Sequence, residues 1–105
     1  MNLDKGQRHW VAFYHDDTIM TENVRITESN VNEVLLDTII AKTSGGTVCN
    51  LNKTEALTYF AETEEQASEK LIERYKLKIK EFDQEWVKKE LIIIEQMHKD
   101  TFKKD

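Results

Sequence analysis

Thr63-Glu64-Glu65-Gln66-Ala67-Ser68-Glu69-Lys70-Leu71-Ile72-Glu73-Arg74-Tyr75-Lys76-Leu77-Lys78-Ile79-Lys80-Glu81-Phe82-Asp83-Gln84-Glu85-Trp86 opens a stretch that runs to residue 105 without glycine or proline. Thr63 with Gln66 three residues later forms a capping box. Glu64 and Glu65 lie where the helix dipole favours negative charge, so the spacing predicts a helix that starts at Thr63. From there Ile72, Tyr75, Ile79, Phe82, Trp86, Ile93 and Met97 recur at steps of three, four or seven, interrupted once by Lys89. That pattern is a continuous apolar stripe. Unbroken over 63–103, such a helix has roughly 40 residues and a length of roughly 60 Å, against ~20 Å for a six-residue strand. A small sheet cannot cover it. The surplus stripe must meet a second copy of the chain or fold back near residues 81–85, and Leu91-Ile92-Ile93-Ile94 is apolar around the whole circumference. The sequence favours a homo-oligomer, a dimer first, with those seven stripe residues at its interface.

Upstream of Thr63 the pattern changes. Arg8-His9-Trp10-Val11-Ala12-Phe13-Tyr14-His15 is rich in aromatic and β-branched residues, and Asp16-Asp17 closes it with turn-forming side chains. Strand and turn follow. In residues 18–27, Met20, Val24 and Ile26 share one parity and Thr21, Asn23 and Arg25 the other, the period-two signature of a half-buried strand that pairs with the first. Residues 30–43 fit two readings. Val31, Val34, Leu35, Thr38 and Ile39 have helical spacing, and Asn30 with Glu33 imitates a capping box. The β-branched run Thr38-Ile39-Ile40 and the Ser44-Gly45-Gly46 turn, which would join residues 39–43 to 47–51 as a hairpin, favour strand. Ala56-Leu57-Thr58-Tyr59-Phe60-Ala61 reads as a last strand.

The expected fold is therefore α+β in a single domain, 1–105. A small antiparallel β-meander of four or five strands occupies 8–61, and one long C-terminal helix with a coiled-coil-like stripe occupies 63–103.

Val24-Arg25-Ile26-Thr27, then Thr58-Tyr59-Phe60-Ala61-Glu62-Thr63-Glu64-Glu65-Gln66-Ala67, then a long charged helix, resemble a broad set of small bacteriophage and prophage proteins. In that set a "V-R-x-T" strand, a "Y-F-x-T-x-E-E-A" strand-to-helix junction and a coiled-coil-like tail recur. The likeness covers about residues 10–97. This chain departs from the pattern at Glu62, which separates Ala61 from Thr63, and in residues 30–37, which have no counterpart. The resemblance implies a meander followed by a helix and a phage origin, with no activity attached.

At 105 residues the chain is one core's worth of protein, with 39% apolar and 33% charged residues and a net charge of −5. The single cysteine, Cys49, excludes an intramolecular disulfide and offers no CxxC pair, which fits a reducing compartment. The amino terminus lacks an apolar signal core, and the longest aliphatic run, 91–94, is far short of the ~20 residues of a membrane span. A cytoplasmic protein with no membrane segment is expected, in the host cytoplasm if phage-encoded.

Candidate chemistry is sparse. His9, His15, Asp16 and Asp17 offer metal-ligand types, but on one strand His9 and His15 lie about 20 Å apart, too far to grip one ion, so no metal is expected. Trp10 and Tyr14 share a strand face, and Arg25 on the next strand would add a cationic rim suited to a nucleotide or another anion, with Lys42 and Tyr59 joining if the register permits. The same rings also suit a core beneath the helix. Lys70, Arg74 and Lys78 form an i, i+4, i+8 basic line that would suit phosphates, flanked by acidic blocks at 62–69 and 81–85 that argue against nucleic acid. Cys49 falls in a strand and reads as a buried structural thiol.

No GxSxG, HExxH, P-loop or GxGxxG occurs, and neither an enzyme nor a cofactor is expected. Small size, acidic charge and the surplus stripe point to a non-enzymatic accessory protein that oligomerises and binds or inhibits a host protein, for instance one of a defence system. A module that sequesters a nucleotide signal through Trp10, Tyr14 and Arg25 is the alternative, and a nucleic-acid-binding accessory protein ranks third.

Overall fold

The computed structural model describes residues 3–14 and 24–103. Strands β1 (Arg8–Tyr14), β2 (Val24–Val34), β3 (Thr38–Thr43) and β4 (Val48–Asn52) form an antiparallel sheet in the order β1-β2-β3-β4. Helices α1 (Lys53–Tyr59), α2 (Glu64–Glu81) and α3 (Glu85–Phe102) follow. The α+β class and the meander of sequence neighbours are as expected. The Asp16-Asp17 turn, and the part of the second strand placed before Val24, lie outside the described residues.

Residues 30–43 form strand, turn and strand, with no helix. β2 continues to Val34, with an irregularity between Val31 and Glu33, and Leu35 N donates to Thr38 O (2.8 Å) to close the turn into β3. The β3–β4 hairpin pairs Ala41 with Cys49 and Ile39 with Leu51 across Ser44-Gly45-Gly46. Gly46 sits at φ +90°, a left-handed position that favours a residue without Cβ.

Both faces of β1 are covered, in keeping with the run of apolar and aromatic residues from Trp10 to Tyr14. Ala12, with Trp10 and Tyr14, packs against Leu71 and Tyr75 of α2 and Val87 and Ile94 of α3. Val11, with Phe13, packs with Val31, Ile39 and Ala41 of the curled sheet and with Ala56 and Phe60 around α1. The sheet thus has one core on each side.

Two expectations are corrected. Residues 56–61 are not a strand: Asn52 caps α1 by accepting from Glu55 N (2.7 Å), and Ala56 and Phe60 are buried at helical spacing. Asn52 with Glu55 is a start signal of the same kind as Thr63 with Gln66. Only Ala61 keeps a strand role, exchanging both backbone hydrogen bonds with Trp10 on the outer edge of β1 (2.8 and 2.9 Å).

The second correction concerns the C-terminal helix, which is not continuous and forms no coiled coil along its length. The helix start at Thr63 stands, since Thr63 Oγ1 accepts from Gln66 N (3.1 Å). After Glu81, however, Phe82 leaves helical geometry (φ −130°, ψ 88°), and Gln84 N donates to Phe82 O (2.6 Å) around Asp83. The chain then reverses. α3 runs antiparallel to α2, with contacts from Tyr75 to Glu90 (3.1 Å), Ser68 to His98 (2.8 Å) and Glu65 to Lys103 (3.1 Å). Burying Val87 and Ile94 as well as Leu71 and Tyr75 against one sheet contributes about 1.5–3 kcal/mol per large side chain, more than the few helical hydrogen bonds given up at the bend.

The fold-back redistributes the seven stripe residues. Tyr75 is buried, and Ile72, Ile79 and Met97 pack beside the core. Phe82 (58%), Trp86 (55%) and Ile93 (40%) remain exposed. None of the helices among the described residues is long and apolar enough to cross a membrane.

Candidate functional site

The basic line Lys70-Arg74-Lys78 runs along the side of α2 that faces α1, and its first two members have a structural task. A seven-residue helix ends with carbonyls that have no partner within it. Lys70 Nζ donates to Leu57 O (2.8 Å) and to Phe60 O, and Arg74 Nη1 donates to Thr58 O (2.7 Å). Two cations therefore finish the C-terminus of α1, where the helix dipole also favours positive charge.

Arg74 does more than cap. Its Nη2 donates to Ala12 O (2.7 Å), two residues beyond the Trp10–Ala61 bridge on the same edge of β1. Its guanidinium lies 3.9 Å from the centre of the Tyr59 ring, a stacked cation–π contact. Burial lowers its pKa and the neighbouring Tyr59 and Tyr75 oppose that shift, yet an arginine so placed stays charged. Lys70 is likewise held down, by burial first and then by the Arg74 charge.

At this end of the sheet two hollows share a wall of Phe13 and Tyr14, and Arg74 lines the smaller of them. The smaller, about 170 Å³, is lined by Phe13, Tyr14, Tyr59, Leu71, Arg74, Tyr75 and Lys78. Tyr14 meets Tyr75 edge to face at 6.1 Å, and Lys78 Nζ lies 4.9 Å from the Tyr75 ring centre. Burial pushes the Tyr75 phenol well above its ordinary range, and the charge of Glu90 and the hydrogen bond to it push it further, so the ring is a neutral hydroxyl wall. The larger hollow, about 230 Å³, is lined by Phe13, Tyr14, Arg25, Thr27, Thr43, Gly45 and Thr47. It offers one guanidinium, three threonines and an aromatic wall.

The expected ligand residues are partly gathered and partly dispersed. Tyr14 lines both hollows, Tyr59 the smaller and Arg25 the larger. Arg25 is opposite Phe13 in the register, so it projects from the face away from Trp10 and Tyr14 and does not rim them as expected. Trp10 packs against the helix-side core. Lys42 pairs with Asn30, which in turn pairs with Arg8, at the far end of β1 from Tyr14, about 20 Å away at ~3.3 Å per residue. The residues that replace them, Arg74 and Lys78, appeared in the sequence only as a basic helix face. Nothing in the sequence placed that face beside Tyr14 and Tyr59.

Of the metal-ligand types weighed on the first strand, His9 is buried and stacks on Phe60 (5.8 Å), while His15, Asp16 and Asp17 lie outside the described residues. Cys49 is partly covered in β4, and burial raises its thiol pKa. Comparison with protein-family models, with curated proteins and with solved structures finds no match for this chain.

Proposed function

We propose that the chain is a non-enzymatic accessory protein of the bacteriophage type, acting in the host cytoplasm. In this reading it self-associates, as a dimer, and binds a host protein through the bend of its helical hairpin. The supporting observation is the residue of the apolar stripe that the fold-back leaves outside: Phe82, Trp86 and Ile93 are 40–58% exposed, in a chain whose net charge of −5 suits basic partner surfaces. The phage attribution rests on the motif resemblance alone. The experiment is light scattering of the wild type and of Phe82→Ala/Trp86→Ala across protein concentration, followed by capture of host protein with both. A dimer that becomes monomer, and a captured protein lost with the same two side chains, support the reading. A wild type that stays monomeric and captures the same proteins as the variant refutes it.

A second reading, a module that sequesters a small anionic ring ligand such as a nucleotide signal, is favoured by one observation. Arg25, Arg74 and Lys78 line two aromatic hollows in an otherwise acidic chain. Each hollow is smaller than the ~300–1,000 Å³ of a drug-sized site, so a nucleotide would have to span the shared Phe13–Tyr14 wall. A thermal-shift series of cyclic and linear nucleotides tests it. A rise in melting temperature that Arg25→Ala abolishes supports the site, and no shift with any nucleotide removes it.

A further inference from the structure

The open end of the helical hairpin brings three side chains of metal-ligating type together across two helices. Glu65 and Glu69, one turn apart on α2, and His98 on α3 have ligand atoms that all lie within 4.8 Å of one another. We infer that Glu65, Glu69 and His98 form a site for a divalent first-row transition metal that clamps α3 to α2.

The histidine sets this cluster apart from a patch of surface acids. His98 is only 8% exposed, and its ring is held on two sides, by Ser68 Oγ 2.8 Å from Nδ1 and by Phe102, whose ring is tilted against it with centres 5.2 Å apart. Ser68 Oγ can accept the Nδ1 hydrogen, and in that tautomer Nε2 carries the lone pair. That is the arrangement of a metal-binding imidazole whose second nitrogen is fixed by a hydrogen bond. Glu69 is exposed and Glu65 half-exposed, so both carboxylates can swing toward the ring. Ligand atoms on one ion with bonds of about 2.0–2.2 Å lie roughly 3–3.5 Å apart, so rotation of the two glutamates must close about an ångström.

One imidazole and two carboxylates suit zinc, manganese, iron(II), cobalt or nickel, and water would complete the shell. Lys103 pairs with Glu65 at 3.1 Å and is the internal competitor of the ion. The site depends on the fold-back. In one continuous helix His98 would stand about 44 Å from Glu69, at 1.5 Å per residue.

The test uses the full chain without an affinity tag, titrated with zinc by calorimetry and with cobalt(II) by absorption. The expected result is one metal per chain, a melting temperature raised by several degrees, and a cobalt spectrum of nitrogen and oxygen ligands without the thiolate band that Cys49 would add. Glu69→Gln, at an exposed position that leaves folding intact, should weaken binding at least tenfold. His98→Gln should abolish it, and Lys103→Ala, by releasing Glu65, should strengthen it. Equal affinity in wild type and Glu69→Gln, or no saturable binding at 100 µM metal, a threshold of about 5.5 kcal/mol in binding free energy, overturns the site.

Discussion

Replacing Arg74 by methionine separates the two roles that a cation on this face of α2 can have. Methionine keeps an unbranched apolar stem as far as the Nε position and removes the guanidinium. Arg74 donates to the carbonyls of Thr58 and Ala12, both at 2.7 Å. Thr58 O lies in an exposed contact where water takes over, but Ala12 is fully buried, so its carbonyl loses a charge-assisted partner worth about 1.5–3 kcal/mol. The stack on Tyr59 adds about 0.5–1 kcal/mol. Relief of the burial that depresses the Arg74 pKa works the other way, which leaves a net loss of about 2–3 kcal/mol.

For a domain of this size that loss lowers the melting temperature by roughly 10–20 °C. Urea unfolding followed by circular dichroism, with the slope unchanged, measures it directly. Arg74→Lys should fall between wild type and methionine, because one ammonium keeps the charge but cannot bridge a strand edge and a helix end through a planar fork. Were Arg74 a solvated cation on a zoned helix, Arg74→Met would stay within about 0.5 kcal/mol of wild type. That result would refute the bridge.

Ile94→Ala should cost about 2–5 kcal/mol by opening a cavity between α3 and the sheet, whereas Ile92→Ala, 66% exposed on the same helix, should cost under about 0.5; paired denaturation curves compare them. Cys49 should react slowly with a disulfide reagent at pH 8, because burial raises its pKa and lowers the thiolate fraction, and urea should restore the rate of a free thiol. The Tyr75 phenol is raised in the folded chain, so above about pH 10 the unfolded chain loses that proton first and stability must fall as pH rises further. Glu90→Gln should lessen that alkaline loss, and the unfolding midpoint measured between about pH 9 and 11 reads both slopes.

What could be read from the residues was local or strongly periodic. The Thr63 cap, the Ser44-Gly45-Gly46 hairpin and the aromatic and β-branched first strand are each stated by a few neighbouring side chains, and each stands. Residues 56–59 are helix rather than strand because the Asn52–Glu55 cap and the helical spacing of Ala56 and Phe60 outweigh the β propensity of Tyr59 and Phe60. The candidate site was only half legible for a different reason. Tyr14 and Tyr59 were visible as ligand types, but the partners that meet them come from α2, and only tertiary packing decides which face of α2 turns toward α1.

The bend at 82–84 falls inside the 81–85 stretch where the sequence allowed a fold-back, yet neither glycine nor proline marks it and Gln84 makes no side-chain cap hydrogen bond for α3. Its cause lies in the whole stripe. A straight helix of roughly 60 Å lays only a third of its apolar surface on a sheet of ~20 Å, and reversal lays two helices there instead. The reversal also resets the helical phase. Had α3 continued in register, Trp86 and Ile93 would have faced the core with Tyr75 and Ile79; three non-helical residues rotate the helix by about one position, and Val87 and Ile94 face it instead. Trp86 and Ile93 are therefore exposed because of where the bend falls. The same three residues that complete the core create the apolar surface assigned here to a partner, and bring His98 beside Glu65 and Glu69.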